Sequence, residues 1–137
     1  MEMNNHDHFK NTSILITGAC GTIGAELTRQ VSESGAARIV CIDNNETDLF
    51  FLQDTFKENP NVECYLADVR DLESLKLRMQ DIDIVLHSAA LKHVGLCEES
   101  PNQAIQTNIQ GTSNVIDAAL ANNVCLLYTS PSPRDRG

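Results

Sequence analysis

The sequence predicts an α/β fold in which a doubly wound parallel sheet is covered by helices on both faces. Two observations carry that expectation. Apolar runs of strand length alternate four times with segments whose apolar residues recur at helical spacing. Neighbouring parallel strands also need a crossover, which an intervening helix supplies. No internal repeat or low-complexity tract competes with this pattern.

The elements follow in order. Residues 1–12 form a polar lead-in. Ser13-Ile14-Leu15-Ile16-Thr17, stopped by Gly18, is too short for a buried helix and reads as a buried strand. From Thr22 to about Ser34, Ile23, Leu27 and Val31 recur at helical spacing, with Gly35 as the C-cap. Arg38 to Ile42 is a second strand, ending at Asp43-Asn44-Asn45. Leu49, Phe50, Leu52 and Phe56 line one side of a helix that Asn59-Pro60 ends. Val62 to Leu66 is a third strand; Leu72, Leu75 and Met79 mark a third helix, and Ile82 to His87 a fourth strand. A loop from Ala89 to Ser100 leads to Pro101, which opens a long helix to about Ala121 carrying Ile105, Ile109, Val115, Ile116 and Ala119.

Composition narrows the function. The chain has 137 residues, 42% hydrophobic and 21% charged, the profile of a globular domain. Its net charge is −9, which argues against non-specific nucleic-acid or anionic-membrane binding. No apolar run approaches the roughly 18–20 residues of a membrane span, and MEMNNHDHFKN has no signal-peptide pattern. Five cysteines without a CxxC pair point away from a disulfide framework or zinc site and toward a reducing, cytoplasmic setting. No metal ligands are assigned; His6 and His8 sit in the polar lead-in, and His87 and His93 do not form a metal pair.

Thr17-Gly18-Ala19-Cys20-Gly21-Thr22-Ile23-Gly24 lies between the first strand and the first helix. Gly18 permits the tight turn, Gly21 lets a pyrophosphate approach the backbone, and Gly24 lets the helix pack closely on the strand. The free N–H groups at the helix start, among them those of Thr22 and Ile23, then face the phosphates. Asp43 follows about 20 positions on, where a carboxylate binds the ribose hydroxyls of an adenosine. Its charge repels a 2′-phosphate, and Asn44-Asn45 offers no cation, so NAD is favoured over NADP unless Arg38 intervenes. This is the Rossmann-type arrangement.

These residues resemble the extended short-chain dehydrogenase/reductase superfamily, which acts largely on nucleotide-sugars. Within it, GACGTIG, IDNNETDLFFL, ADVRD, AALKHVGLCEESP and QTNIQGTSNVIDAAL resemble the polysaccharide-biosynthesis (CapD-like) 4,6-dehydratases, from about Ile14 to Val124. The resemblance implies that Asp68-Val69 contacts adenine, the alternative for Asp68 being a helix N-cap. It implies that Ala89 and Ala90 leave room for the cofactor ribose and that Lys92 reaches the cofactor, a solvated surface lysine being the plain alternative. His93 either faces substrate or is a loop histidine. Thr107-Asn108-Ile109-Gln110-Gly111-Thr112 resembles an element whose asparagine shapes the active site; Asn108 either does this or faces a backbone carbonyl. Gly111 would let the helix approach the sheet. Glu98-Glu99 reads as a solvated pair.

The catalytic Ser/Thr, an Asp-Lys pair and Tyr-x-x-x-Lys of this superfamily are expected beyond residue 124, so no catalytic residue is assigned here. Val124 to Thr129 passes for a fifth strand, but Tyr128 has Ser132 and no lysine four positions on. CLLYTSPSPRD also resembles a translated sequencing-library adaptor, so residues 125–137 are expected to be artefactual, the alternative being a genuine Ser/Pro-rich tail. Residues 13–124 are thus expected to be the N-terminal portion of a cofactor-binding domain, inactive alone. The resemblance implies that the complete, homo-oligomeric protein oxidises C4 of a nucleotide-sugar, a UDP-sugar favoured, passing hydride to NAD. Water then leaves across C5–C6 and hydride returns to C6. A nucleotide-sugar 4-epimerase and a non-catalytic dinucleotide sensor are the alternatives.

Overall fold

The computed structural model describes residues 9–88, 101–124 and 126–129, with backbone alone for 101–110 and 126–129. The elements are β1 Ser13–Thr17, α1 Thr22–Ser32, β2 Arg38–Asp43, α2 Glu46–Thr55, β3 Val62–Leu66, α3 Leu72–Arg78, β4 Ile84–His87, α4 Pro101–Ala121 and β5 Leu126–Thr129. The strands form one sheet in the order β3-β2-β1-β4-β5, and every pairing is parallel. Every strand therefore ends at the same edge. The chain turns back from β3 to β4 across β1, which opens a crevice at the carboxyl ends of β1 and β4.

Alternation within the apolar strands builds a core on each face. Ile14, Ile16, Ile39, Cys41, Ile84 and Leu86 face one side, where Val31 of α1 and Leu52 of α2 cover them. Leu15, Val40, Ile42 and Val85 face the other, covered by Leu75 of α3 and Val115 of α4. Each such Ile or Leu, fully buried, contributes about 1.5–3 kcal/mol.

The structure corrects several boundaries and faces. α1 stops at Ser32 with Glu33 as its C-cap, and Gly35 takes a positive φ of 81° beyond it. β4 begins at Ile84, two residues after the predicted start. In α2, Leu49 and Leu52 are buried and Phe56 packs beside them, but Phe50 is 68% exposed. One residue is 100° of helix rotation, so Phe50 sits well off the stripe that Leu49, Leu52 and Phe56 share. Ile116 is likewise 40% exposed, off the buried line of Val115 and Ala119.

Gly111 was expected to bring the long helix onto the sheet; it brings it onto the loop after β3. A Cβ at Gly111 would lie 2.7 Å from Cγ2 of Val69. One turn along the same face, Asn114 is buried and donates its amide to the Val69 carbonyl at 3.0 Å.

Gly111→Ala should therefore destabilise the fold by about 1–3 kcal/mol in chemical denaturation. Adding Val69→Ala should recover part of that loss beyond the sum of the single changes; strict additivity would contradict the contact.

Candidate functional site

The glycine-rich turn joins β1 to α1 and is fixed by backbone contacts. Gly18 takes a φ of 62°, which aims its carbonyl at the Gly21 N–H, 3.1 Å away. A Cβ at Gly24 would stand 2.1 Å from the Gly18 oxygen and 2.7 Å from the Ala19 Cα. Both neighbours are backbone, so no side-chain movement makes room: only glycine lets the first turn of α1 rest on this loop. Gly21 is the N-cap of α1, makes no side-chain capping bond, and is followed by a first turn with no acidic residue. Thr22 and Ile23 are exposed there, Ile23 at 51%. The first N–H groups of α1 thus present a positive end that attracts an anion.

Asp43, at the tip of β2, is buried and points back at this loop. Its Oδ2 accepts the Cys20 N–H at 3.0 Å, and its Oδ1 accepts the Asn45 N–H at 3.1 Å. Each carboxylate oxygen has a second acceptor site. Asn44 is exposed beside it, and Asn45 caps α2 by accepting the Asp48 N–H at 2.9 Å. Arg38 plays no part in this site: it begins β2 at the opposite sheet edge, in register with Ser13, and forms an ion pair with Glu63 at 3.0 Å.

Asp68 is not a helix cap; Asp71 caps α3, accepting the Ser74 N–H at 3.2 Å. Asp68 instead closes a turn on the Arg70 N–H at 2.9 Å and pairs with the Arg70 guanidinium at 2.7 Å. That pairing holds its carboxyl below the usual carboxylate range. Val69 is the residue clamped by Gly111 and Asn114. Asn108 lies on α4, one turn before Thr112, and its side chain is outside the described residues, as are Ala89, Ala90, Lys92 and His93.

Pattern reading gave no role to a buried hydroxyl–imidazole chain at the end of the sheet. Thr17 Oγ1 lies 2.6 Å from His87 Nδ1, and His87 Nε2 lies 3.2 Å from Thr112 Oγ1. Thr17 Oγ1 also accepts the Ser88 N–H at 3.0 Å. A hydroxyl thus stands against each ring nitrogen, so the imidazole is held at both ends whichever nitrogen carries its proton. The Ser88 hydroxyl donates to the Thr17 carbonyl at 2.7 Å. These bonds fasten the ends of β1, β4 and α4 to one another. The sequence signal was Thr17 and His87 at the last positions of neighbouring strands, visible only once their register is known.

The fold and loop define a doubly wound parallel α/β unit with a glycine-rich turn between its first strand and first helix. The model of the polysaccharide biosynthesis protein family matches residues 14–129, and the chain belongs to that family. An uncharacterised membrane protein of Methanocaldococcus jannaschii is 40% identical, the match covering 85% of this chain and 34% of that protein. The inverting UDP-N-acetylglucosamine 4,6-dehydratase of Campylobacter jejuni is 38% identical over 85% of this chain and 35% of its own. The UDP-glucose 4-epimerase of Rickettsia massiliae is 34% identical over the same shares. Among solved structures, Pen from Bacillus thuringiensis superposes with a TM-score of 0.82 and 36% identity, covering 88% of this chain and 37% of that one. A UDP-glucose-4-epimerase from Stenotrophomonas maltophila with bound NAD gives 0.78 and 28%, covering 93% and 39%. The chain thus spans about a third of the length of the curated relatives it matches. Among the described residues no helix is long and apolar enough to cross a membrane, and no cluster of metal-ligating side chains is present.

Burial pushes His87 below its ordinary value of 6.5. As pH falls through 6.5 the unfolded chain binds a proton there while the folded chain does not, so the fold loses stability across that window. Glu63 and Asp68, both held low, lose their contributions only below their ordinary values of 4.5 and 3.8. Chemical denaturation should show the chain weaker at about pH 5.5 than at about pH 7, with the difference reduced in His87→Gln. An undiminished difference in the variant would contradict the buried neutral ring.

Proposed function

We propose that the chain is the cofactor-binding part of an NAD-dependent nucleotide-sugar 4,6-dehydratase. The observation that carries the reading is the close seat of α1 on Gly18, which aims an uncapped helix N-terminus beside the buried carboxylate of Asp43. These residues fit a dinucleotide: glycine at position 24 seats α1 on the turn, and the pyrophosphate would lie against the Gly21–Gly24 backbone. Asp43 would accept the ribose hydroxyls, beside Asn44. Asp68 would take the adenine amine in place of, or alongside, Arg70. Ala89, Ala90 and Lys92 would border the ribose and nicotinamide, and Asn108 would shape the substrate side. When bound, NAD supplies a reversible hydride acceptor.

Cofactor choice rests on charge. Arg38 is engaged by Glu63 at the other end of β2, and the charge of Asp43 would repel a 2′-phosphate, which favours NAD over NADP. The 38% identity to a UDP-N-acetylglucosamine 4,6-dehydratase and the stretch AALKHVGLCEESP support a dehydratase acting on a UDP-sugar. The similarity to UDP-glucose 4-epimerases favours a second reading, epimerisation at C4.

Residues 125–137 are assigned no function. Leu126–Thr129 pairs with β4, yet an open sheet edge accepts a short apolar run whatever its origin. Sequencing the locus beyond the Val124 codon should reveal a Ser/Thr, an Asp-Lys pair and Tyr-x-x-x-Lys. SPSPRDRG encoded there in frame would overturn the adaptor reading, and absence of the catalytic residues would overturn the enzyme. Supplied with UDP-N-acetylglucosamine, the complete protein should form a 4-keto-6-deoxy sugar; a C4 epimer would favour the second reading.

Calorimetry on the full chain should show NAD binding, weaker NADP binding, and a loss of roughly tenfold or more for Asp43→Ala. Unchanged affinity in that variant, with the fold intact by circular dichroism, would rule out the ribose role.

A further inference from the structure

On the α1–α2 face of the sheet, Cys41 of β2 and Cys64 of β3 are register partners. Both belong to the same apolar cluster, and both are free thiols. Parallel partners project side chains to one face from strands about 4.7–4.9 Å apart, and a disulfide accepts Cα separations of roughly 4.4–6.8 Å. The two thiols lie close enough for each to shift the other's titration. Cys41 is fully buried, whereas Cys64 is half-buried on the edge strand. The neighbouring Cys41 thiol draws Cys64 below its ordinary value, while Cys64 beside it and burial push Cys41 up. Cys64 is thus the readier thiolate and the more accessible sulfur.

We propose that Cys41 and Cys64 are a peroxide-oxidisable dithiol whose disulfide loosens the glycine-rich loop. The Cys64 thiolate attacks one oxygen of hydrogen peroxide, the O–O bond breaks, and the departing hydroxide takes a proton to become water. Cys64 is left as a sulfenic acid. The Cys41 sulfur, giving up its proton, then displaces hydroxide from Cys64; the S–S bond forms and a second water leaves. Two thiols lose two electrons in all, and one peroxide becomes two waters. A disulfide needs Cβ atoms about 3.5–4.5 Å apart, closer than flat parallel strands hold them. β3, at the sheet edge with β2 beside it, can give way, and the strain keeps the bond easy to reduce.

The loop is coupled to this pair from two sides. The Thr28 hydroxyl lies 3.6 Å from the Cys41 sulfur and donates to the Gly24 carbonyl at 2.9 Å, beneath the seat of α1. Asp43, two residues beyond Cys41, holds the Cys20 N–H. Closing the bond moves both strands, and any shift of Cys41 toward the yielding β3 disturbs both contacts. The disulfide stands independently of the ligand; only its effect on affinity rests on the dinucleotide reading.

The test is to oxidise the reduced full chain with hydrogen peroxide, alkylate the remaining thiols and map the peptides by mass spectrometry. The expected result is a Cys41–Cys64 cross-link, reversed by dithiothreitol, with NAD affinity about five- to tenfold weaker while it lasts. Cys64→Ser should yield no such cross-link and keep its affinity through the treatment. Thiols that stay free, a link from Cys64 to Cys20 or Cys97, or oxidation halting at Cys64 sulfinic acid would overturn the dithiol. A mapped cross-link with unchanged affinity would overturn the coupling to the loop. Reduced protein that binds no NAD would instead count against the dinucleotide reading, leaving the peptide map to decide the dithiol.

Discussion

The first turn of α1 lies so close to the Gly18 peptide that a single carbon at position 24 would fall within 2.1 Å of its oxygen. This backbone-on-backbone contact sets the rest of the site. It fixes how far α1 reaches past the sheet edge, and so where its first N–H groups point. It also needs a positive φ at Gly18, which turns the chain sharply off β1. Asp43 secures the far side by holding the Cys20 N–H from the neighbouring strand. The loop is therefore braced between β1 and β2 by contacts made within the chain itself.

A second set of contacts assembles the other half of the same edge. The Thr17–His87–Thr112 chain joins two strand ends to α4, and Gly111 with Asn114 locks that helix against Val69. The Thr17–His87 bond is buried and the other two are partly buried; an unmatched buried polar group costs about 1–3 kcal/mol, so the contacts specify position as well as adding stability. α4 thereby meets both the β3–α3 loop and the crevice beside β1. Two adjoining regions, proposed to meet adenine and substrate, are mechanically joined.

Local chemistry made much of this legible. β1 and β3 fall at the boundaries that their short apolar runs and flanking breakers indicate, and the work of Gly24 follows from its place in a strand–turn–helix. The errors arose where a choice depends on a partner distant in sequence. Phe50 looked apolar enough for the core but lies off the buried face. Gly111 signalled a close approach without naming the surface approached. Asp68 and Asp71 both suit a helix start, and only the backbone course gives Asp71 the cap. Arg38 was near Asp43 in sequence yet sits at the other end of a parallel strand. The imidazole chain was hidden because neither threonine nor histidine carries a periodic signal.

The central claim is that the Gly21–Gly24 backbone, backed by Asp43, is a cradle for a dinucleotide pyrophosphate. Amide nuclear magnetic resonance during titration of the full chain with NAD tests it most directly. The account predicts that the N–H signals of Thr22, Ile23 and Gly24 move first and furthest, with Cys20 and Asn45 following through Asp43. The Asn59–Asn61 turn at the opposite sheet edge should stay still. Saturable binding that leaves the Thr22–Gly24 amides unmoved, or shifts confined to that opposite edge, would contradict it.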